Sequence, residues 1–130
     1  EIVIVSMGSL AMEATVAADI LQEEGHRVGV LSLRVFRPFP KDYFIKALSK
    51  PRLIVVFDKN ISYGSEGATC SEIKSALYGS RINAVIRNFI VGLGGRDVKA
   101  REIADAVRKS LPALEEGSLN IEYPEWICHP

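Results

Sequence analysis

Four apolar runs rich in β-branched residues alternate with segments of helical periodicity along this chain. The runs cover residues 2–5, 28–33, 53–57 and 84–91. After each run, apolar side chains recur every three or four positions, as they do on one face of an α-helix. Strands that alternate with helices pair in parallel, because each crossover helix returns the chain to the same end of the sheet. The pattern therefore predicts a three-layer α/β/α domain with a mainly parallel sheet.

Connection length predicts the order of these strands. Short connections favour neighbouring strands, and the simplest order for the four visible strands is 2-1-3-4. This order places a switch point between the first and third strands. Ligands or partners of such sheets meet the loops at the carboxyl ends of the strands. Those loops contain Gly8, Ser9, Arg37 and the segments 60–67 and 92–97.

Composition excludes several classes of function. The chain has 130 residues, 48% of them hydrophobic, which suits one globular domain with its own core. Its 16 Lys and Arg balance 16 Asp and Glu, so no excess charge indicates a nucleic-acid partner. No apolar run is long enough to span a membrane. Cys70 and Cys128 match no disulfide or metal spacing, which favours a reducing, cytoplasmic compartment.

The start of the chain suggests a piece of a longer polypeptide. The sequence opens inside the first apolar run, at Glu1-Ile2-Val3, without an initiator methionine. Its periodicity fades after Pro112. We expect a domain over residues 1–111 and an irregular tail over 112–130, which forms either a strap across the body or a tether.

Two glycine-containing loops precede helices and have two interpretations each. Gly8 and Ser9 come before the first helix, where the Ser9 hydroxyl can accept a hydrogen bond from a first-turn amide. Gly64 and Gly67 come before the third helix. Free amides and the helix dipole would also favour a phosphate or carboxylate at either place. A plain cap is the simpler interpretation, because it needs no ligand.

A third glycine-rich segment, Gly92-Leu93-Gly94-Gly95-Arg96-Asp97-Val98, follows the fourth strand. It lacks the third glycine of a dinucleotide-binding fingerprint, follows the last strand, and precedes no strand with a ribose-binding acid. We expect Gly94 and its neighbours to provide unusual backbone angles and Asp97 to cap the fourth helix. Arg96 should reach a partner surface or a local carboxylate.

No residues with catalytic or metal-binding spacing stand out. His26 has no cysteine or carboxylate at a ligand spacing, and the adjacent Cys128 and His129 would rarely both reach one metal. Cys70 is best explained as a small buried side chain. The sequence therefore predicts neither catalytic nor metal-ligating residues in this chain.

Four segments, taken together and in order, resemble one known family. The segments are Val5-Ser6-Met7-Gly8-Ser9, Leu33-Arg34-Val35-Phe36-Arg37-Pro38-Phe39-Pro40, Phe57-Asp58-Lys59-Asn60 with Gly64 and Gly67, and Gly92-Leu93-Gly94-Gly95-Arg96-Asp97-Val98. They resemble the second domain of the α subunit of pyruvate or 2-oxoacid:ferredoxin oxidoreductases, a domain similar to the transketolase C-terminal domain. The resemblance covers about residues 1–111, and residues 37–40 and 92–97 are its most specific parts.

The resemblance implies part of an enzyme that oxidatively decarboxylates a 2-oxoacid, with pyruvate as the first candidate, to an acyl-CoA and reduces ferredoxin. It also implies thiamine diphosphate with Mg²⁺, iron–sulfur clusters and coenzyme A in the holoenzyme. This chain has no Gly-Asp-Gly diphosphate motif and too few cysteines for a cluster. We therefore expect no cofactor on this chain, no turnover by it alone, and contacts with other domains and subunits but not with nucleic acid or a membrane.

Two further expectations follow from the resemblance. The family fold carries an antiparallel edge strand ahead of the first parallel one, in the order 1-3-2-4-5. The contact face of the domain would include Arg37, Asn60, Arg96 and Asp97, and the loops around this face contain the glycines and the serine named above.

The alternative hypothesis is a stand-alone α/β domain whose glycine loops bind coenzyme A or another anion.

Overall fold

A five-stranded parallel sheet organises the residues that the computed structural model describes, 1–116 and 124–127. The strands are β1 (Ile2–Met7), β2 (Val28–Leu33), β3 (Leu53–Asp58), β4 (Val85–Ile90) and β5 (Glu125–Trp126). The helices are α1 (Leu10–Glu23), α2 (Lys41–Ala47), α3 (Ala68–Leu77), α4 (Ala100–Ser110) and α5 (Ala113–Glu116). The strands lie in the order β2-β1-β3-β4-β5 and all pair in parallel. The α/β/α fold and the order 2-1-3-4 are confirmed.

Helices cover both faces of the sheet. All six residues of β3 are buried, as expected for a central strand without polar alternation. On one face, Ile4 of β1 packs with α1 and α4. On the other face, Val5 of β1 packs with α2 and α3. The alternation of side chains along β1 thus divides the core into two clusters. None of the described helices has the length and apolar character needed to cross a lipid bilayer.

The fifth strand differs from the edge strand that the resemblance implied. Within the described residues every strand pair is parallel, and the fifth strand lies beside β4, at the edge opposite to β2. It comes from the segment expected to be an irregular tail, where the Ile127 amide donates to the Ile90 carbonyl at 3.0 Å. Two paired residues are too few to produce a periodic pattern in a sequence. Part of the tail is therefore a strap on the sheet.

A glycine in the left-handed conformation follows the last turn of α1. Gly25 has a φ of +93°. Its amide donates to the Gln22 carbonyl at 3.0 Å, and the His26 amide donates to the Leu21 carbonyl at 3.1 Å. This pair of hydrogen bonds is the Schellman motif, which needs a left-handed residue.

Replacing Gly25 with alanine should lower the free energy of unfolding by about 1 kcal/mol, because a side chain is disfavoured at positive φ. Gly29 provides a matched control, since an added Cβ would meet no heavy atom within 4 Å at either glycine and only Gly25 has a positive φ. Gly29→Ala should be neutral or stabilising. Urea unfolding of both variants measures the difference, and equal destabilisation would contradict the explanation.

Candidate functional site at the carboxyl edge of the sheet

The carboxylate of Asp58, at the end of β3, occupies the N-terminus of α3. Asp58 is 2% exposed. Its Oδ1 accepts a hydrogen bond from the Thr69 amide at 3.0 Å, and its Oδ2 accepts one from the Cys70 amide at 3.2 Å. Amides in the first turn have no partner within the helix. A carboxylate of this chain therefore sits where an external phosphate would otherwise bind.

Two asparagines complete this internal cap. Asn88 Oδ1 accepts the Gly67 amide at 2.9 Å, and Asn60 Oδ1 accepts the Ala68 amide at 2.8 Å. The Asn88 Nδ2 donates to Asp58 Oδ2 at 3.0 Å, which links β4 to the cap. Every amide from the residue before α3 to its third residue is thus bonded to a side chain of the same chain.

The two glycines of this loop have different roles. Gly67 has a φ of −66°, which any residue adopts, but a Cβ there would lie 2.1 Å from Asp58 Oδ2. Gly67 is needed because the carboxylate approaches the backbone closely. Gly64 has a φ of +70° and turns the loop, where the Ser65 amide donates to the Ser62 carbonyl at 2.9 Å.

Carboxylates also occupy the N-terminus of α4. The Lys99 amide donates to Glu102 Oε2 at 2.8 Å, and the Ala100 amide donates to Oε2 of Glu13, in α1, at 2.9 Å. The prediction that Asp97 caps this helix is wrong, because the residue at the cap position is Lys99. Asp97 is exposed ahead of it. Glu102 and Glu13 thus accept the hydrogen bonds at the N-terminus of α4 that Asp97 was expected to accept.

We call residues 92–98 the elbow. Left-handed angles occur at all its glycines, with φ of +65°, +71° and +78° at Gly92, Gly94 and Gly95. The elbow folds back closely, since a Cβ on Gly92 would lie 3.2 Å from the Arg96 carbonyl oxygen. Arg96 Nη2 donates to Glu102 Oε1 at 2.7 Å. Arg96 therefore reaches a local carboxylate, one of its two expected partners.

The N-terminus of α1 is not capped by the Ser9 hydroxyl, so this prediction is wrong. The Ser9 backbone is helical, with φ −61° and ψ −24°, and its side chain makes no bond to the first turn. A side-chain cap requires an extended backbone at this position. The hydroxyl instead accepts a hydrogen bond from Lys59 Nζ at 3.4 Å. Gly8, with a φ of +66°, turns the chain, and its carbonyl accepts the Ala11 amide.

An open cleft of about 340 Å³ lies between the start of α1 and the elbow. Its charged lining contains Lys59 and Arg96 but also Glu13 and Asp97. Charges of both signs line the cleft equally, so it offers no strong net attraction for an anion.

Arg37 fastens the loop after β2 to α3. Its Nη2 donates to Glu72 Oε1 at 2.6 Å, and its guanidinium carbon lies 4.3 Å from the centre of the Phe36 ring. The Phe39 ring packs against both Phe36 and Phe44. The Arg37 side chain is still 62% exposed, so it remains accessible at the surface.

The thiol of Cys70 is buried, as predicted. Cys70 is fully inaccessible, and burial raises the pKa of its thiol far above the ordinary value. A thiol in this state is a poor nucleophile, because the thiolate is the reactive form. Among the residues that the structure describes, no three His, Cys, Asp or Glu side chains lie close enough together to hold a metal ion.

Sequence reasoning missed three residues of this edge. Asn88 is a polar residue within an apolar strand, which was a usable signal for a buried hydrogen-bonding role. Glu102 lies three positions after Lys99, the spacing of a capping box. Glu13 gave no signal, because 87 positions separate it from the amide that it accepts.

Asp58→Asn tests the internal cap of α3. The amide group of asparagine cannot accept hydrogen bonds at both terminal atoms, because its nitrogen is a donor. Unpaired buried donors should lower the free energy of unfolding by about 3 kcal/mol. The exposed Asp97→Asn is the matched control and should change it by less than about 0.5 kcal/mol. Indistinguishable urea midpoints for the Asp58→Asn and unmodified chains would contradict the cap.

Cys70 should resist alkylation by iodoacetamide while the chain is folded, because its thiol is buried and protonated. Mass spectrometry that resolves the Cys70 peptide from the Cys128 peptide measures this. We expect modification of Cys70 only when urea unfolds the chain. Labelling of the folded chain as fast as a free cysteine peptide would show that the thiol is accessible.

Comparison with known proteins agrees with the expected family. Residues 1–103 match the family described as pyruvate:ferredoxin oxidoreductase core domain II. The chain is 37% identical over 126 residues to the ketoisovalerate oxidoreductase subunit VorA of Pyrococcus horikoshii, covering 97% of this chain and 32% of that protein. It is 38% identical over 118 residues to the pyruvate synthase subunit PorA of Methanosarcina barkeri, covering 90% of this chain and 29% of that protein.

A third relative is the pyruvate synthase subunit PorA of Thermotoga maritima, 36% identical over 125 residues, which cover 93% of this chain and 32% of that protein. The chain spans about a third of the length of these curated relatives. All four segments that carry the resemblance fall within the residues that match the family. This chain belongs to the pyruvate:ferredoxin oxidoreductase core domain II family.

Proposed function

We propose that this chain is the second core domain of a 2-oxoacid:ferredoxin oxidoreductase α subunit and acts there as a framework and contact domain. The complete enzyme would decarboxylate a 2-oxoacid, with pyruvate as the first candidate, to an acyl-CoA and reduce ferredoxin in the cytoplasm. Family membership and the pyruvate synthase relatives support this proposal. Thiamine diphosphate with Mg²⁺, the iron–sulfur clusters and coenzyme A would be bound by other domains and subunits.

Exposed apolar side chains at the carboxyl edge carry the proposal of a contact role. A large apolar or aromatic side chain ends or follows each of the first four strands, namely Met7, Val35, Tyr63 and Leu93. Their exposed fractions run from 37% at Leu93 to 103% at Tyr63. Tyrosine and methionine are enriched at protein interfaces, and exposed apolar surface often marks them. A domain that bound only a small anion would have no use for such a surface.

The four polar residues predicted for the contact face support the proposed contact role to different degrees. Arg37 and Asp97 are exposed and accessible to a neighbour. Asn60 and Arg96 already serve the chain itself, through the Ala68 amide and the Glu102 carboxylate. We propose that Arg37 and Asp97 make charged contacts at the rim, whereas Asn60 and Arg96 shape the loops.

The outer edge of β2 is a second proposed contact. None of the described strands pairs with it, and its sequence, VGVLSL, lacks the charges and prolines that usually protect an edge. We propose that the antiparallel strand implied by the family resemblance pairs there in the complete subunit.

The anion-binding alternative is disfavoured by the electrostatics of the same edge. Carboxylates of this chain already accept amides at the start of α3 and of α4. A diphosphate at either place would have to displace a carboxylate that is already hydrogen-bonded, and it would meet like charge.

Tyr63→Asp in the complete α subunit should weaken assembly with the remaining subunits by about tenfold or more, which corresponds to the loss of an interface residue worth about 1.4 kcal/mol or more. Tyr78→Asp is the matched control. Tyr78 is 88% exposed and lies just after α3, near the amino ends of the strands and away from the carboxyl edge. Co-purification and size-exclusion chromatography measure assembly. Equal assembly of both variants would count against the carboxyl edge as the contact face.

The isolated chain should show no 2-oxoacid turnover with ferredoxin and no saturable heat in calorimetry with coenzyme A or thiamine diphosphate. No binding is expected because Asp58, Glu102 and Glu13 already accept hydrogen bonds from the amides at the N-termini of α3 and α4. Saturable binding of coenzyme A to the isolated chain would favour the stand-alone alternative instead.

A further inference from the structure

Strand β5 does not continue the sheet as the other strands do. Helices α1 and α4 pack on the same face, but the step from β1 to β2 and the step from β4 to β5 run toward opposite edges. With only two residues, β5 also has little backbone pairing of its own. Other contacts must hold it.

Residues 124–127, which we call the strap, are anchored by both polar and apolar contacts. Lys109, in the last turn of α4, forms an ion pair with Glu125. The Ile127 side chain packs against the core cluster under α1 and α4, and its amide donates to the Ile90 carbonyl. A polar substitution at Ile127 would remove the apolar contact.

A further hydrogen bond joins the strap to the elbow. The Ile127 carbonyl accepts a hydrogen bond from Arg96 Nη1 at 3.3 Å. The second terminal nitrogen of this guanidinium donates to Glu102 Oε1 at 2.7 Å. The other oxygen of Glu102 accepts the Lys99 amide at 2.8 Å. One continuous path thus runs from the strap, through Arg96, to the start of α4.

We propose that docking of the strap sets the conformation of the elbow, with Arg96 as the positioning residue. When the strap is docked, acceptors on two sides fix the guanidinium, and the guanidinium in turn orients Glu102 toward the Lys99 amide. When the strap is released, Arg96 loses its backbone acceptor and the glycine-rich elbow loses a restraint. The strap thereby controls which surface the elbow presents at the carboxyl edge.

Solvent exchange of single amides, measured by NMR on the full chain, tests the coupling. Ile127→Asp should release the strap, raise the exchange rate of the Lys99 amide about fivefold, as expected when a hydrogen bond is weakened, and shift the elbow glycine signals. The Ala100 amide should stay unchanged, because its acceptor is Glu13. Val35→Asp, the same kind of change at a residue 55% exposed beyond β2, is the control and should alter neither amide.

Loss of protection at the amide of position 127, without any change at Lys99 or the elbow glycines, overturns the proposal. If that amide keeps its protection in Ile127→Asp, the strap has stayed docked and the reciprocal variant decides. Arg96→Ala should then raise the exchange rate of the Ile127 amide, because coupling between two sites is mutual. An unchanged Ile127 amide in Arg96→Ala also overturns the proposal.

Discussion

The buried carboxylate of Asp58 determines how the carboxyl edge of this domain is built. A charge without solvent is costly unless hydrogen bonds satisfy it. Here two backbone amides and the Asn88 side chain surround the carboxylate. The positive end of the α3 dipole adds to this stabilisation. Because Gly67 has no side chain, the carboxylate can approach the backbone, and β3, β4 and α3 are fixed relative to one another.

The same principle recurs at α4 with different residues. Glu102 reaches back to the amide before the helix, while Glu13 reaches across from α1. Parallel sheets of this kind commonly bind anionic ligands at their carboxyl edge, where free amides point outward. In this chain those amides are satisfied internally at two helices, and exposed apolar side chains stand around them. Such an edge suits contact with protein better than binding of a phosphate.

The fold could be predicted from the sequence because its determinants are local. The apolar run of β3 is buried along its whole length, and the helical periodicity that follows the first run is observed as α1, Leu10–Glu23. The caps could not all be predicted. The choice of Glu13 over Asp97 at α4 depends on how α1 packs against α4, which no short motif encodes. Ser9 failed as a cap because its backbone is already helical.

The strap shows a similar limit. A two-residue strand has no period, and its position beside β4 depends on Lys109, Arg96 and the core under α4. By contrast, the family could be recognised from four short segments of the sequence, because these segments occur in a characteristic order along the chain. The periodicity of apolar residues largely predicts the helices and strands of a chain. Tertiary packing determines which side chains cap a helix terminus.

Titration of the isotope-labelled chain with inorganic pyrophosphate, followed by NMR at single amides, tests whether side chains of this chain already satisfy the amides at the N-termini of α3 and α4. The amides of Gly67, Ala68, Thr69 and Cys70 at α3, and of Lys99 and Ala100 at α4, report on the two helix N-termini. We expect no saturable chemical-shift change at any of these amides, because side chains of this chain already accept hydrogen bonds from them. Saturable shifts at these amides would show that an external anion can displace Asp58 or the two glutamates, and would contradict the contact role proposed for this edge.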